Sequence, residues 1–328
     1  MKYRKNEAKE FAKSHLRGIW AASSTPFKSD FSLDQEGFAR NLRHWTTDLG
    51  IDGVFFTGKQ GEFFAMSIEE RKRTFEIGME VCGGKAGTMM SCSDQNMDVV
   101  LDLAKHAESI GADYVIVHAP ILHFVTDVNE TLYQYYKYLS DNLDIAIAIW
   151  SHPDSGYLMS PELCSRIADL PNVVAIKYSV PRDMYSELTR LAGHKLIVSN
   201  PSEDHWLDNI TELGWQVYLC ASSPYLLQTK VDRRMREYTD LAFAGKHAEA
   251  RKVRDSLEPV RHALKSTRPA DKPQAQQKYW QDLIGQVGGP VRRPMLQLTA
   301  AEKAAIKSAL AESGLALPGA GSHLDAAE

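Results

Sequence analysis

Residues 173–177 read Val-Val-Ala-Ile-Lys, an apolar run closed by a single lysine. The run is too short for a helix, and its β-branched content suits a strand covered on both faces. Upstream, IAIAIW (145–150) and a helical stretch, SPELCSRIADL (160–170), lead into it. Downstream come KLIVS (195–199) and WQVYLCA (215–221). Toward the N-terminus the same apolar signal recurs in GIWAASS (18–24), GVFFTG (53–58), KAGTMMS (85–91) and DYVIVHA (113–119). Helical periodicity fills the gaps, as in LDQEGFARNLRHWTTDL (33–49), SIEERKRTFEIGMEVC (67–82), NMDVVLDLAKHAESIG (96–111) and NETLYQYYKYLSDN (129–142). Eight strands, each followed by a helix, predict an α/β fold of the (β/α)8 TIM-barrel type. A doubly wound sheet usually carries a Gly-rich phosphate turn after its first strand. The turn here, STPFKSD (24–30), contains no glycine.

Helix starts support this parse. Ser67 and Glu70 form a capping box, and Ser160 precedes a proline at the first helical position. Beyond the eighth strand the chain turns helical and reads as a C-terminal extension. The expected organisation is an exposed N-terminal arm or helix over 1–17, a barrel over 18–228, the helical extension over 229–315, and a flexible tail over 316–328.

Composition excludes several classes. The 328 residues are 44% hydrophobic and 24% charged, with net charge −4. No basic stripe invites nucleic acid. No stretch approaches the ~18 apolar residues that span a bilayer. The basic N-terminus lacks the apolar core of a signal peptide. Cys82, Cys92, Cys164 and Cys220 are widely spaced and form no CxxC, which reads as four reduced thiols in a cytoplasmic protein.

Barrel enzymes carry their chemistry at the C-terminal ends of the strands. Lys177 stands at such an end. Alternation puts Val173, Ala175 and Lys177 on one face. If that face points inward, burial depresses the ammonium and frees an amine that can attack a ketone. The other reading of position alone is a strand-end lysine that reaches solvent. Lys59, between Gly58 and Gly61 at the same rim, either tunes Lys177 or binds a substrate carboxylate, which the Gly58 and Gly61 amides could also hold; an exposed loop lysine is the bland alternative. His118, His123 and His152, with Glu62, lack metal-ligand spacing, so no metal is expected. One of His118, His123 and His152 is a candidate acid/base. Ser222, at the end of the eighth strand, is a candidate substrate contact.

The ordered set of motifs resembles the dihydrodipicolinate synthase and N-acetylneuraminate lyase superfamily, from Gly18 to Ser313. The set comprises SSTPF (23–27), TGKQGEFFAMSIEER (57–71), IAIWSHP (147–153), VAIK (174–177), AGKHAEA (244–250) and GPVRRPMLQLT (289–299). The resemblance implies a Schiff-base lysine at Lys177, a pyruvate-type 2-oxo acid substrate, no metal or organic cofactor, and a homo-oligomer, tetramer or dimer. It assigns carboxylate binding to Gly58, Lys59, Gln60 and Gly61.

Departures from the family pattern shape the expected chemistry. Trp150 replaces the strand-five tyrosine that relays protons, and an indole N–H only donates. Ile121-Leu122 replaces a tyrosine pair, and the position of the synthases' substrate-binding arginine falls near Ser155. These changes argue against dihydrodipicolinate synthesis. They imply an apolar pocket walled by Trp150, Leu122, Phe124 and Phe63, a shade closer to hydratase-aldolases. Tyr178, His152, His118 or a water then carries the proton. The leading expectation is retro-aldol or hydratase-aldolase cleavage releasing pyruvate. Beside it stand a hydro-lyase or deaminase using the same imine, and a non-catalytic 2-oxo acid-binding or assembly protein.

Overall fold

The computed structural model describes residues 2–124 and 127–318. Eight parallel strands follow one another around a nearly closed barrel: β1 Gly18–Ala22, β2 Gly53–Phe56, β3 Gly87–Ser91, β4 Tyr114–His118, β5 Ala146–Ser151, β6 Val173–Tyr178, β7 Ile197–Ser199 and β8 Val217–Ala221. Backbone ladders run continuously from β7 through β1 to β8. At the remaining seam a side chain joins β7 to β8. Ser199 Oγ donates to Val217 O at 2.9 Å and accepts from Leu219 N at 2.8 Å.

Two apolar layers follow from strand alternation. Ile19, Val54, Phe56, Val115, Val117, Ile147, Ile149 and Ile176 face outward beneath the helices. Trp20, Phe55, Met89, Tyr114, Ile116, Ala148 and Trp150 fill the interior. The register departs from strict alternation at the start of β6. Ile147 pairs with Val173 and Ala148 with Ala175, so Val174 is an inserted residue. The expectation that Val173 shares the face of Lys177 fails for this reason. Val173 packs under the helices, while Val174 and Ala175 both belong to the interior.

The N-terminal segment is not an exposed arm. Ala8, Ala12 and Leu16 are fully buried in the interior cluster, along the helix Ala8–His15 and its end. Tyr3 Oη donates to Asp113 O at 2.5 Å and accepts from Ala146 N at 2.8 Å. The segment therefore plugs the end of the barrel where β4 and β5 begin. The opposite end stays available for chemistry.

Both capping residues read from sequence perform that role. Ser67 and Glu70 exchange their backbone and side-chain bonds, and Ser160 Oγ accepts from Leu163 N. A short helix, Ser223–Leu226, closes the barrel, and among the described residues five more follow it: Arg234–Phe243, His247–Ser256, Glu258–Ser266, Pro273–Leu283 and Ala300–Glu312. The expected flexible tail begins too early. Ala316 is tied back by Thr229 Oγ1 at 2.7 Å and by Asp232 at 3.2 Å. Residues 319–328 of that tail lie outside the described residues.

Candidate active site

Lys177, next to last in β6, is 2% exposed. Its Nζ lies 4.4 Å from the Trp150 ring centre and 5.0 Å from that of Phe55. No carboxylate pairs with it among the described residues. Burial holds the ammonium below the ordinary lysine range; the Cys220 thiol opposes this, and Lys59 pushes it further down. Burial raises Cys220 itself to about 11, so it stays a thiol at neutral pH.

The loop after β2 is wound tightly over the mouth. Thr57 and Glu62 sit in the left-handed region at φ 55° and 59°, a costly conformation for side-chain-bearing residues. Both are fully buried and both are held. Thr57 Oγ1 bonds Thr74 Oγ1 at 2.7 Å. Glu62 pairs with Lys278 at 2.5 Å and accepts from Arg292 N at 2.9 Å. A Cβ at Gly58 would stand 2.6 Å from the Phe55 ring, so glycine lets the loop close over that aromatic. Glu62, considered with the histidines at first, is thus committed to the C-terminal extension.

Lys59 reaches across the mouth and pairs with Asp154, on the turn after β5. The other oxygen of Asp154 lies 3.1 Å from His152 Nδ1. Burial pushes the Asp154 carboxyl up, but the bond to Lys59 and its charge outweigh this and hold it below the usual range. His152 is driven down to about 4, first by burial and then by Lys59, so its ring is neutral at working pH. Burial also lowers His118. His118 Nδ1 bonds Ala119 O at 2.6 Å, which places the proton on Nδ1 and leaves Nε2 an acceptor. That Nε2 and the Trp150 indole N–H are both buried without partners among the described residues. The two rings meet edge-to-face, 4.7 Å between centres.

Lys59, His118 and Asp154 line a cavity of about 390 Å³ with Phe63, Arg71 and Ile121. The structure thus brings Lys177, Lys59, Trp150, His118 and His152 into one cluster, with Phe63 on its wall. It does not bring Tyr178 there. Tyr178 alternates with Lys177, faces the outer layer, and donates to Met159 O at 2.5 Å. Leu122 packs against the outer core rather than the cavity, and Phe124 is fully exposed. Gln60 and Ser222 line a separate cavity of about 240 Å³ toward the C-terminal helices. Ser155 is spent within its own loop, bonding His152 O and Tyr157 O. Sequence reasoning missed Phe55 and Asp154. Asp154 had a readable signal, a carboxylate two residues beyond a strand-end histidine.

Residues 15–313 match the dihydrodipicolinate synthetase family. The chain belongs to that family. It is similar to the 4-hydroxy-tetrahydrodipicolinate synthases of Bradyrhizobium diazoefficiens (28% identical, covering 93% of this chain and 99% of the relative) and Thermotoga neapolitana (29%, covering 92% and 99%). Among solved structures, a monomeric dihydrodipicolinate synthase variant superposes with TM-score 0.81 at 26% identity, covering 93% of this chain and 99% of its own. The dihydrodipicolinate synthase of Thermotoga maritima gives 0.79 at 27%, covering 92% and 100%. Family membership makes the chain a class I, Schiff-base lyase, with the TIM barrel that the strand pattern predicts. The expectation against dihydrodipicolinate synthesis gains no support, because these relatives carry the synthase name. No helix of the described residues is long and apolar enough to cross a membrane.

Proposed function

We propose that the chain is an aldolase for a pyruvate-type 2-oxo acid, with Lys177 as the imine-forming residue. The observation that carries this reading is a buried lysine with no carboxylate partner among the described residues, near a largely apolar cavity into which Lys59, Arg71 and His118 project, at the catalytic end of the barrel. The neutral amine attacks the ketone carbon, and the carbinolamine loses water to give a protonated imine. The cation then rests against the faces of Trp150 and Phe55. It draws electrons from the bond between the next carbon and the carbinol carbon beyond it; as the carbinol hydroxyl loses its proton that bond breaks to leave an aldehyde and an enamine, and in reverse it forms.

A tyrosine hydroxyl both donates and accepts a proton. Here Trp150 Nε1–H can only hold an oxygen by a hydrogen bond. Proton transfer falls to His118 Nε2 or neutral His152. Carboxylate binding by Lys59 and the loop amides of Gly58 to Gly61 belongs to the same proposal. So do a cytoplasmic setting, in keeping with four free buried thiols, and a homo-oligomer covering exposed Phe64, Ile121 and Phe124 near the mouth.

Borohydride trapping with pyruvate, followed by peptide mass analysis, tests the proposal. A pyruvate-sized adduct on the peptide carrying Lys177 is expected. Its absence from folded protein overturns the imine reading. Pyruvate release from arylidene-pyruvates and sugar-derived 2-oxo acids, alongside formation of 4-hydroxy-tetrahydrodipicolinate, then identifies the reaction. A reacted 2-oxo acid that yields no pyruvate points to the hydro-lyase or deaminase use of the same imine.

A further inference from the structure

Asp154 ties the loop after β2 to the end of β5. One carboxylate oxygen pairs with Lys59 of the β2 loop, and the other stands 3.1 Å from His152 Nδ1. Its backbone N–H donates to that same Nδ1 at 3.2 Å. His152 Nδ1 is therefore an acceptor and carries no proton. Lys59 meanwhile spends its charge on a group that is half-exposed and outside the barrel, although it lies close enough to act on Lys177, His118 and His152.

A 2-oxo acid carries its carboxylate on the atom next to its ketone. When the ketone carbon reaches Lys177 Nζ, the carboxylate lies within a few ångströms of it, in the field of Lys59. It must then compete with Asp154 for that ammonium. Resting on the imine reading, we infer that Asp154 is a latch: it holds Lys59 in the empty enzyme, yields it to the substrate carboxylate, and then turns its charge on His152.

The charged and titratable groups facing His152 are Lys59, Asp154, Lys177 and His118. Once the substrate carboxylate neutralises Lys59, the largest repulsive charge on His152 is offset and Asp154 is unpaired. Both changes favour a proton on Nδ1, taken from solvent; Nδ1 then gives up the 3.2 Å bond it accepts from Asp154 N–H and donates instead to the carboxylate 3.1 Å away. Substrate binding thereby loads the proton that the leaving hydroxide of the carbinolamine needs to depart as water. Asp154 is a positioning residue in this scheme, acting through Lys59 and His152.

The latch predicts a split that a merely structural residue does not produce. Asp154→Asn removes the competitor, so the half-saturating pyruvate concentration in borohydride trapping falls about threefold to tenfold. The maximal trapping rate falls as well, by about tenfold, because His152 loses its counter-charge. Lys59→Met raises the half-saturating concentration, and does so in the Asp154→Asn background too. Asp154 lies on an exposed turn, so the variant folds. If Asp154→Asn raises the half-saturating concentration, or leaves both quantities within about twofold of the wild type, the latch is wrong. Failure of the wild type to trap pyruvate at Lys177 would instead bring down the imine reading and the latch with it.

Discussion

Two lysines of this chain are buried almost equally, and they do opposite things. Lys177 is 2% exposed and Lys278 1%. Each ammonium lies against an aromatic face, Trp150 for one and Phe27 for the other, both at 4.4 Å. Burial lowers both below the ordinary lysine range. The difference is the partner. Lys278 meets the Glu62 carboxylate at 2.5 Å and donates to Pro290 O, while Lys177 has no carboxylate partner among the described residues and lies in the field of a thiol and a second lysine. Desolvation alone does not make a lysine reactive; desolvation without a counter-ion does. The two are also linked in space, because the Lys278–Glu62 pair fixes the far end of the loop that carries Lys59.

The largest expected effects come from removing each lysine's distinguishing feature. Lys177→Ala should abolish adduct formation and lower turnover by at least about 10³-fold. Turnover near the wild-type level would remove Lys177 from the chemistry. For the other lysine the effect falls on stability. Glu62→Gln strands a buried ammonium and should cost about 3–5 kcal/mol in denaturant unfolding. Replacing both partners, Glu62→Leu with Lys278→Met, should recover most of that loss. A Glu62→Gln protein as stable as the wild type would mean that the pair holds nothing.

A smaller effect separates the lysines by pH. Lys177 titrates below its unfolded value of about 10.4. Between its depressed pKa and that value the unfolded chain binds a proton that the folded chain does not, so stability from this group rises with pH and is lost as pH falls through the folded pKa. Lys177→Met should therefore be more stable than the wild type at neutral pH, with the gap closing as pH rises toward 10. The trapping rate should rise with pH with a midpoint under the ordinary lysine value. Lys59→Met should move that midpoint up, since a like charge is removed. A midpoint that stays fixed would confine Lys59 to carboxylate binding.

The eight strands were legible because strands covered on both faces must be almost wholly apolar, and the lysine that interrupts the sixth stands out for the same reason. Where single residues decide, legibility falls. Ala8, Ala12 and Leu16 are too few and too small to mark a buried helix within a basic segment, and only the open end of the barrel makes them core. The inserted residue at Val174 leaves no trace in composition, since Val173, Val174 and Ala175 are all apolar. Asp154 stands two residues from His152, but its tie across the mouth is to Lys59, 95 residues away along the chain. Leu122 and Ile121 are adjacent and alike, and the fold alone chooses Ile121 for the cavity wall.

The smallest expected effect tests whether alternation divides function between chain neighbours. Tyr178 adjoins Lys177, carries a proton-bearing group, and was a natural candidate for the relay. Its hydroxyl instead donates to Met159 O at 2.5 Å beneath the outer helices. Tyr178→Phe deletes one buried hydrogen bond and leaves a carbonyl unpaired, a loss of about 1–3 kcal/mol. Trapping at saturating pyruvate should stay within about twofold of the wild type, because no atom of that ring faces the imine. A collapse of trapping with stability preserved would require Tyr178 to face inward. Then β6 would present a different face at its end, and the contrast between an unpaired lysine in the barrel and a paired one outside it would have to be redrawn from that strand onward.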